Sequence, residues 1–205
     1  MAIPQNIDPN KPPYDLYEDL DYKVFWSGWQ QQKLDQAEHA VVRNLLPASG
    51  FRLIDLGCGY GRLSDCYQGR FQQVVMFDGS LPFLQEARQN SGGLATYIAG
   101  DLHHLPFRDA SFDNIVMVRV FHHIIDSKAF LSELHHLLIA GGNLVFTYRN
   151  KLYLMNILKS LIRTTQDRPF SLEPAGIGTT LISHHPNYIK KYYSNPVLPI
   201  SDLKA

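Results

Sequence analysis

The sequence predicts a doubly wound, mostly parallel α/β sheet preceded by a helical cover. Three observations lead there. From residue 51 onward, short and nearly continuous apolar runs alternate with amphipathic segments of helical period. A glycine-rich turn, Gly57-Cys58-Gly59-Tyr60-Gly61, follows the first apolar run directly. Acidic residues then close the next runs, at the strand ends where an open parallel sheet presents its binding crevice.

The elements follow in order. Residues 1–16 hold Pro4, Pro9, Pro12 and Pro13 and read as an extended lead. Residues 17–48 form the helical cover, with Phe25, Trp29, Leu34, Ala37, Val41, Leu45 and Leu46 at roughly helical spacing until Pro47, Ser49 and Gly50 break it. Residues 49–150 carry the α/β core. Strands are expected at Phe51–Leu56, Val74–Phe77, Ala95–Ala99, Asn114–Val120 and Leu144–Tyr148, all bounded by turn residues. Helices are expected at Leu81–Arg88 and Asp126–Ile139, the second with Phe130, Leu131, Leu134, Leu137 and Leu138 on one stripe and ended by Gly141-Gly142-Asn143. Residues 151–205 read as a helix over Lys151–Thr164, a loop-rich insertion over 165–182 and a shortened C-terminal part. No internal repeat is present.

Composition excludes several classes. With 45% hydrophobic residues, the 205-residue chain can bury a core, which rules out wholesale disorder. Nineteen basic side chains balance nineteen acidic ones, so no nucleic-acid partner is expected. No apolar run approaches the roughly 20 residues of a membrane span, and the first residues lack a basic start with an apolar run. A cytoplasmic location is the expectation. Cys58 and Cys66 are the only cysteines, too few for a disulfide framework or a four-cysteine zinc site. The histidines pair at 103–104, 122–123, 135–136 and 184–185, and adjacent side chains diverge on helices and strands alike, so no metal site is expected.

The glycine turn carries the chemistry. Glycine lets the backbone turn tightly and approach a ligand where a Cβ would clash. Asp78 closes the second strand about 20 residues beyond Gly57, the usual spacing for a carboxylate that accepts from a ribose diol. Two details separate nucleotide classes. Arg62 stands where a dinucleotide fingerprint places a third glycine, and Asp55 would repel a pyrophosphate but suit an ammonium group. A ligand with a ribose and a zwitterionic amino-acid tail fits better than NAD, which leaves an NAD-dependent oxidoreductase as the weakest reading.

With these residues in view, Leu53–Gly61 resembles the first motif of class I S-adenosylmethionine-dependent methyltransferases, whose sheet is Rossmann-like. Asp78 matches the acid ending their second strand. Gly100-Asp101-Leu102 with Leu105-Pro106-Phe107, then Ser111-Phe112-Asp113, resembles the adenine-side loop and fourth-strand entry of the small-molecule type 11 group. Phe121-His122-His123-Ile124 and Ala140-Gly141-Gly142 resemble the segments that follow. The resemblance covers about residues 20–150 and implies S-adenosyl-L-methionine as cofactor. It implies that the backbone at Gly57 and Gly59 passes beneath the methionine portion, with Asp55 near its amino group and the Val118 carbonyl approaching the amino-acid end. Asp78 would hold both ribose hydroxyls, Asp101 the adenine amino group, and the Leu102 N–H a ring nitrogen. Gly79, also in the cofactor set, stands where a bulky apolar residue often packs on adenine. Arg119 stands where a small or polar residue is usual, and pairing with a carboxylate would account for it.

Other residues admit two readings each. His122 or His123 sits where a general base could reach an acceptor, against the plainer reading of a structural hydrogen bond at a helix start. Cys58 reads as a space-filler. Tyr22, Phe25, Trp26 and Trp29 share a helical face that either packs on the core or covers a sulfonium cation. The function expected is methyl transfer to a small-molecule acceptor. The alternative is a methyltransferase-like protein that binds cofactor or partner without catalysis. The resemblance also implies seven strands, of which the sequence supplies five by Tyr148. The helix at 185–193 meets Ser194-Asn195-Pro196, so the last two strands are expected to be missing. The fifth strand would then be an edge open to self-association, unless another chain or residues 165–182 cover it; in the alternative, Thr179–Ser183 substitutes as an edge strand.

Overall fold

The computed structural model describes residues 28–153, 157, 169–175 and 182–193. The expected lead at 1–16, the aromatic residues Tyr22, Phe25 and Trp26, most of the expected helix at 151–164 and everything after Tyr193 lie outside these residues. Helix α1 (Trp29–Leu45) leads into β1 (Gly50–Leu56), the short α2 (Ser64–Tyr67), β2 (Phe71–Asp78), α3 (Leu81–Asn90) and β3 (Thr96–Ala99). Then come β4 (Phe112–Met117), a 3-10 turn at Phe121–His123, α4 (Ser127–Leu137), β5 (Leu138–Phe146), β6 (Arg149–Asn150), β7 (Ser183–His184) and α5 (Pro186–Tyr193).

Five strands form one parallel sheet in the order β3-β2-β1-β4-β5. The order reverses between β1 and β4, which opens a crevice at their carboxyl ends. Both faces are covered, as the continuous apolar strands require. One face packs Ile54, Phe77, Ile115 and Met117 against Leu131 and Leu134 of α4 and Ile189 of α5. The other packs Leu53, Met76 and Val116 against Val42 of α1, Cys66 and Tyr67 of α2 and Leu84 of α3. Ser80 caps α3 by accepting from the Phe83 N–H, and Asp126 caps α4 by accepting from the Ala129 N–H at 3.0 Å. At the opposite end of the sheet, the Asp113 carboxylate accepts from the Phe51 N–H at 2.8 Å and from the Arg52 N–H. That pairing ties the entry of β4 to the start of β1.

Three expectations need correction. Helix α4 stops at Leu137 and β5 begins at once, with Gly141 and Gly142 inside the strand as a register irregularity against β4 rather than a break before it. Strand β4 stops at Met117, because Arg119 takes a φ of 62° and turns the chain. Helix α1 also presents a different face from the one its apolar pattern predicts. Trp29, Leu34 and Val41 are exposed, while Val42 and Leu46 are buried and the half-buried Asp35, Glu38 and His39 face the domain. Among the described residues, β5 is an edge of the main sheet. Ser183-His184 pairs with Arg149-Asn150 in a separate two-stranded ribbon instead of extending it. No described helix is long and apolar enough to cross a membrane.

Candidate functional site

The crevice is built by the loops after β1, β2 and β4. At the end of β1 the chain turns through Gly57 at φ 72° and Gly59 at φ 53°, both in the left-handed region. The two glycines serve different ends. A Cβ on Gly57 would stand 2.3 Å from a methyl of Val120, so protein fills that side. A Cβ on Gly59 would meet no protein atom within 4 Å and would project into open space. A cavity of about 40 Å³ lies here, lined by Asp55, Gly57, Cys58, Gly59, Arg62 and Val118 among others. That volume admits the end of a ligand and no more.

Asp55 is the floor of the cavity. It is 2% exposed, and its carboxylate accepts from the Tyr67 hydroxyl at 2.7 Å. Burial pushes its pKa up to about 7; the Tyr67 bond and Arg62 pull down, while Asp78 pushes up. Its burial follows from β1, where it pairs with Met76 on one side and Val116 on the other. Burial and these carboxylates also hold the Cys58 thiol well above its ordinary value, so Cys58 is an inert part of the lining.

Asp78 ends β2 beside this turn. One carboxylate oxygen accepts from the Gly59 N–H at 2.7 Å and the other from the Ser80 N–H at 2.9 Å. Burial raises its pKa, and the N–H groups of Ser80, Gly59 and Gly79 oppose the rise. Three N–H groups therefore share the four lone pairs of this carboxylate. Asp101 follows β3; its carboxylate accepts from the His103 N–H at 2.9 Å and meets the His104 ring at 3.2 Å. Burial alone would raise it, but these contacts outweigh that and hold it below the usual carboxylate value. Leu102 packs on the core beside Phe107, whose ring meets Phe77 edge-on at 5.7 Å.

A charged latch joins α1 to the crevice. Glu38 accepts from Arg62 at 2.8 Å and from Arg119 at 2.9 and 3.1 Å, and Asp35 pairs with Arg62 as well. Arg119 thus pairs with a carboxylate, as its unusual position suggested, and its N–H also donates to the Thr147 hydroxyl at 2.7 Å. These bonds hold a left-handed non-glycine residue that costs on the order of 1 kcal/mol. His122 and His123 lie on the 3-10 turn with ring centroids 4.1 Å apart. Burial, then neighbouring His123, Arg149, Arg119 and His184, push His122 down to about 3. Sequence reasoning missed Tyr67, Asp35 and Glu38, and valued Arg62 only as a missing glycine. Nothing in a linear pattern marks a tyrosine that will bond an aspartate across a sheet.

The comparisons with known proteins bear on the fold that carries this site. The family model described as "Methyltransferase domain" matches residues 54–146. Those residues run from the middle of β1 to the end of β5 and contain the glycine turn, Asp78, Asp101 and Val118. Over those residues the chain is similar to the methyltransferase domain family. Over 112 residues it is 30% identical to the malonyl-[acyl-carrier protein] O-methyltransferase of Erwinia pyrifoliae, covering 55% of this chain and 42% of that one. Over 110 residues it is 33% identical to the demethylmenaquinone methyltransferase of Thermobifida fusca, covering 52% and 47%. The chain therefore spans less than half the length of these relatives. Among solved structures, an S-adenosylmethionine-dependent methyltransferase from Thermotoga maritima matches 89% of this chain and 79% of its own, with a TM-score of 0.65 at 17% identity. One from Mesorhizobium loti covers 77% and 78%, with a TM-score of 0.61 at 22% identity. These similarities show the methyltransferase fold.

Proposed function

We propose that this chain is an S-adenosylmethionine-dependent methyltransferase acting on a small-molecule acceptor. The observation that carries the reading is the charge pattern of one cavity. A buried carboxylate, Asp55, lines a small space together with Arg62, whose guanidinium pairs with Asp35 and Glu38, beside a glycine whose Cβ position is open. A zwitterionic amino-acid tail matches both charges, its ammonium on Asp55 and its carboxylate on the Arg62 side. The residues fit the rest of the cofactor too: Asp78 ends β2 as an acceptor beside the glycine turn for a ribose diol, and Asp101 stays ionised to accept from an amino group. In this reading Gly57, Gly59 and the Val118 carbonyl flank the methionine portion, while Gly79, Asp101 and Leu102 flank the adenine.

When bound, S-adenosylmethionine supplies a methyl group already activated by its sulfonium, so the protein's task is alignment and exclusion of water. Asp55 orients the tail, and the double ion pair of Glu38 with Arg62 and Arg119 holds α1 beside it. His122, pushed down to about 3, is neutral and a poor proton acceptor near neutral pH. The acceptor best suited to such a site presents a nucleophilic lone pair without giving a proton to His122. The acceptors named for the matched relatives, malonyl-[acyl-carrier protein] and demethylmenaquinone, support a small reacting group without selecting one. The weak base at His122 is also what favours the second reading, a cofactor- or partner-binding protein without turnover.

The test is calorimetry with S-adenosylmethionine and its demethylated product, S-adenosylhomocysteine. Binding of both is expected, and Asp78→Ala should weaken it at least tenfold through two lost ribose contacts of about 1 kcal/mol each. Absence of binding at millimolar ligand rejects the reading. Methyl transfer to any acceptor of a broad panel decides against the non-catalytic alternative.

A further inference from the structure

On the flank of α1 and α2, away from the cavity, four electron-rich atoms converge. The His39 ring is the centre. Its Nδ1 lies 2.8 Å from the Asp35 carbonyl and its Nε2 3.0 Å from the Arg62 carbonyl, so each ring nitrogen meets an oxygen that can only accept. Nε2 also faces an Asp65 carboxylate oxygen at 3.3 Å. The Cys66 Sγ lies 3.6 Å from the same Asp65 oxygen. Together the His39, Asp65 and Cys66 ligand atoms fall within 4.8 Å of one another. Acceptors gathered this way need protons or a metal ion among them, and a metal ion can take the place of the protons.

We propose that His39, Asp65 and Cys66 form a zinc site that ties α1 to α2. The donor set is one imidazole, one carboxylate and one thiolate, which suits zinc and excludes magnesium or calcium as the preferred ion. The spacing agrees. Zinc bonds of about 2.0–2.3 Å at tetrahedral angles place nitrogen about 3.4 Å from oxygen, and oxygen about 3.6 Å from sulfur. The observed separations are 3.3 and 3.6 Å. The outer contacts are those of a metal ligand set as well. His39 Nδ1 is anchored on a backbone carbonyl, and the other Asp65 oxygen is taken by Arg43, which leaves one oxygen free to ligate. Adjacent-histidine arithmetic does not find this site, because His39 is single in the sequence and its partners sit on another helix. Cys66 is buried, whereas Asp65 is about half exposed and gives the ion its entry path. Without metal, burial and the Asp65 charge push the Cys66 thiol up to about 12, so zinc binding must expel that proton to solvent.

The site borders the binding crevice through Arg62, whose carbonyl faces His39 while its side chain lines the cavity. A bound ion would fix α1, and with it Glu38, against the glycine turn. The experiment strips the full chain of metal with a chelator, then titrates it with Co²⁺ and with Zn²⁺. Expected are one Co²⁺ per chain with a thiolate-to-cobalt absorption band, loss of that band on adding Zn²⁺, and proton release on binding. Cys66→Ser should abolish the band. Asp65→Asn, at a partly exposed position that should leave the fold intact by circular dichroism, should weaken Zn²⁺ at least tenfold. Zinc should raise the melting temperature of the unmodified chain and not of Asp65→Asn. No thiolate band in the unmodified chain overturns the proposal, as does a band that survives Cys66→Ser or Zn²⁺ affinity unchanged in Asp65→Asn.

Discussion

Asp55 makes cofactor binding and folding respond to pH in opposite directions. Its pKa near 7 in the unliganded protein means that about ten chains in eleven carry it protonated at pH 6, and about one in eleven at pH 8. A ligand ammonium needs the ionised carboxylate. Affinity for S-adenosylhomocysteine should therefore fall about tenfold from pH 8 to pH 6, or ~1.4 kcal/mol. Calorimetry at pH 6 in two buffers of different ionisation enthalpy should show close to one proton released per ligand bound.

Folding of the unliganded chain responds the other way. The folded-state value lies above the ordinary 3.8, so the folded protein holds this proton more tightly than the unfolded one. The stabilisation is complete below about 4 and is lost as pH rises to about 7, on the order of 4 kcal/mol in all. His122 and His184 carry the opposite sign, since burial pushes them down to about 3 and about 4 and their contribution is lost as pH falls below 6.5. The wild-type profile therefore flattens by cancellation, and the informative quantity is its difference from Asp55→Asn, which keeps an acceptor for Tyr67. The variant should be relatively more stable at pH 8 than at pH 4, should bind the ligand weakly, and should lose the pH dependence of binding. Affinity that is flat from pH 6 to 8 in the unmodified chain, with no proton release, refutes the placement of the ammonium on Asp55.

The glycine turn and the latch give further tests. Gly57→Ala should destabilise the fold by about 2–4 kcal/mol in chemical denaturation, because its Cβ enters Val120 at a positive φ. Gly59→Ala should cost only about 1 kcal/mol of stability, because its Cβ meets no protein atom, and should still abolish cofactor binding. Equal effects of the two on binding and stability would show that the open space beside Gly59 is not the ligand's. Glu38→Gln should lower stability by about 1–3 kcal/mol, since it leaves Arg62 and Arg119 without their shared charge, and should raise the cofactor Kd. His122→Asn should leave the pH dependence of kcat between 6 and 8 unchanged, because His122 does not titrate there.

The parallel sheet was legible because both of its faces are apolar, and burial on two sides writes itself into the sequence as continuous runs. The strand-end acids were legible for a related reason: a charge closing an apolar run has little structural purpose unless something binds it. Asp113 shows the limit of that rule, since the same pattern at a strand's entry turns out to be a staple between β1 and β4. The break expected at Gly141-Gly142 fails similarly, because the pairing of β5 with β4 absorbs those residues as an irregularity.

Helix α1 is where the linear argument inverts. Of the apolar residues at its helical spacing, Leu46 is buried, yet Trp29, Leu34 and Val41 are outside. The inward face is acidic because the surface it meets is cationic: Arg62 and Arg119 stand at the rim of the crevice, and Glu38 and Asp35 neutralise them. Arg119 in turn is at that rim because β4 ends in a left-handed turn there. The face carries charge because it meets two arginines, so hydrophobic periodicity fails at this helix for an electrostatic reason. That face lies against the same crevice as the glycine turn and Asp55. His39 belongs to this face as well, which is why a ligand set that no local spacing encodes is assembled only when α1 lies against α2.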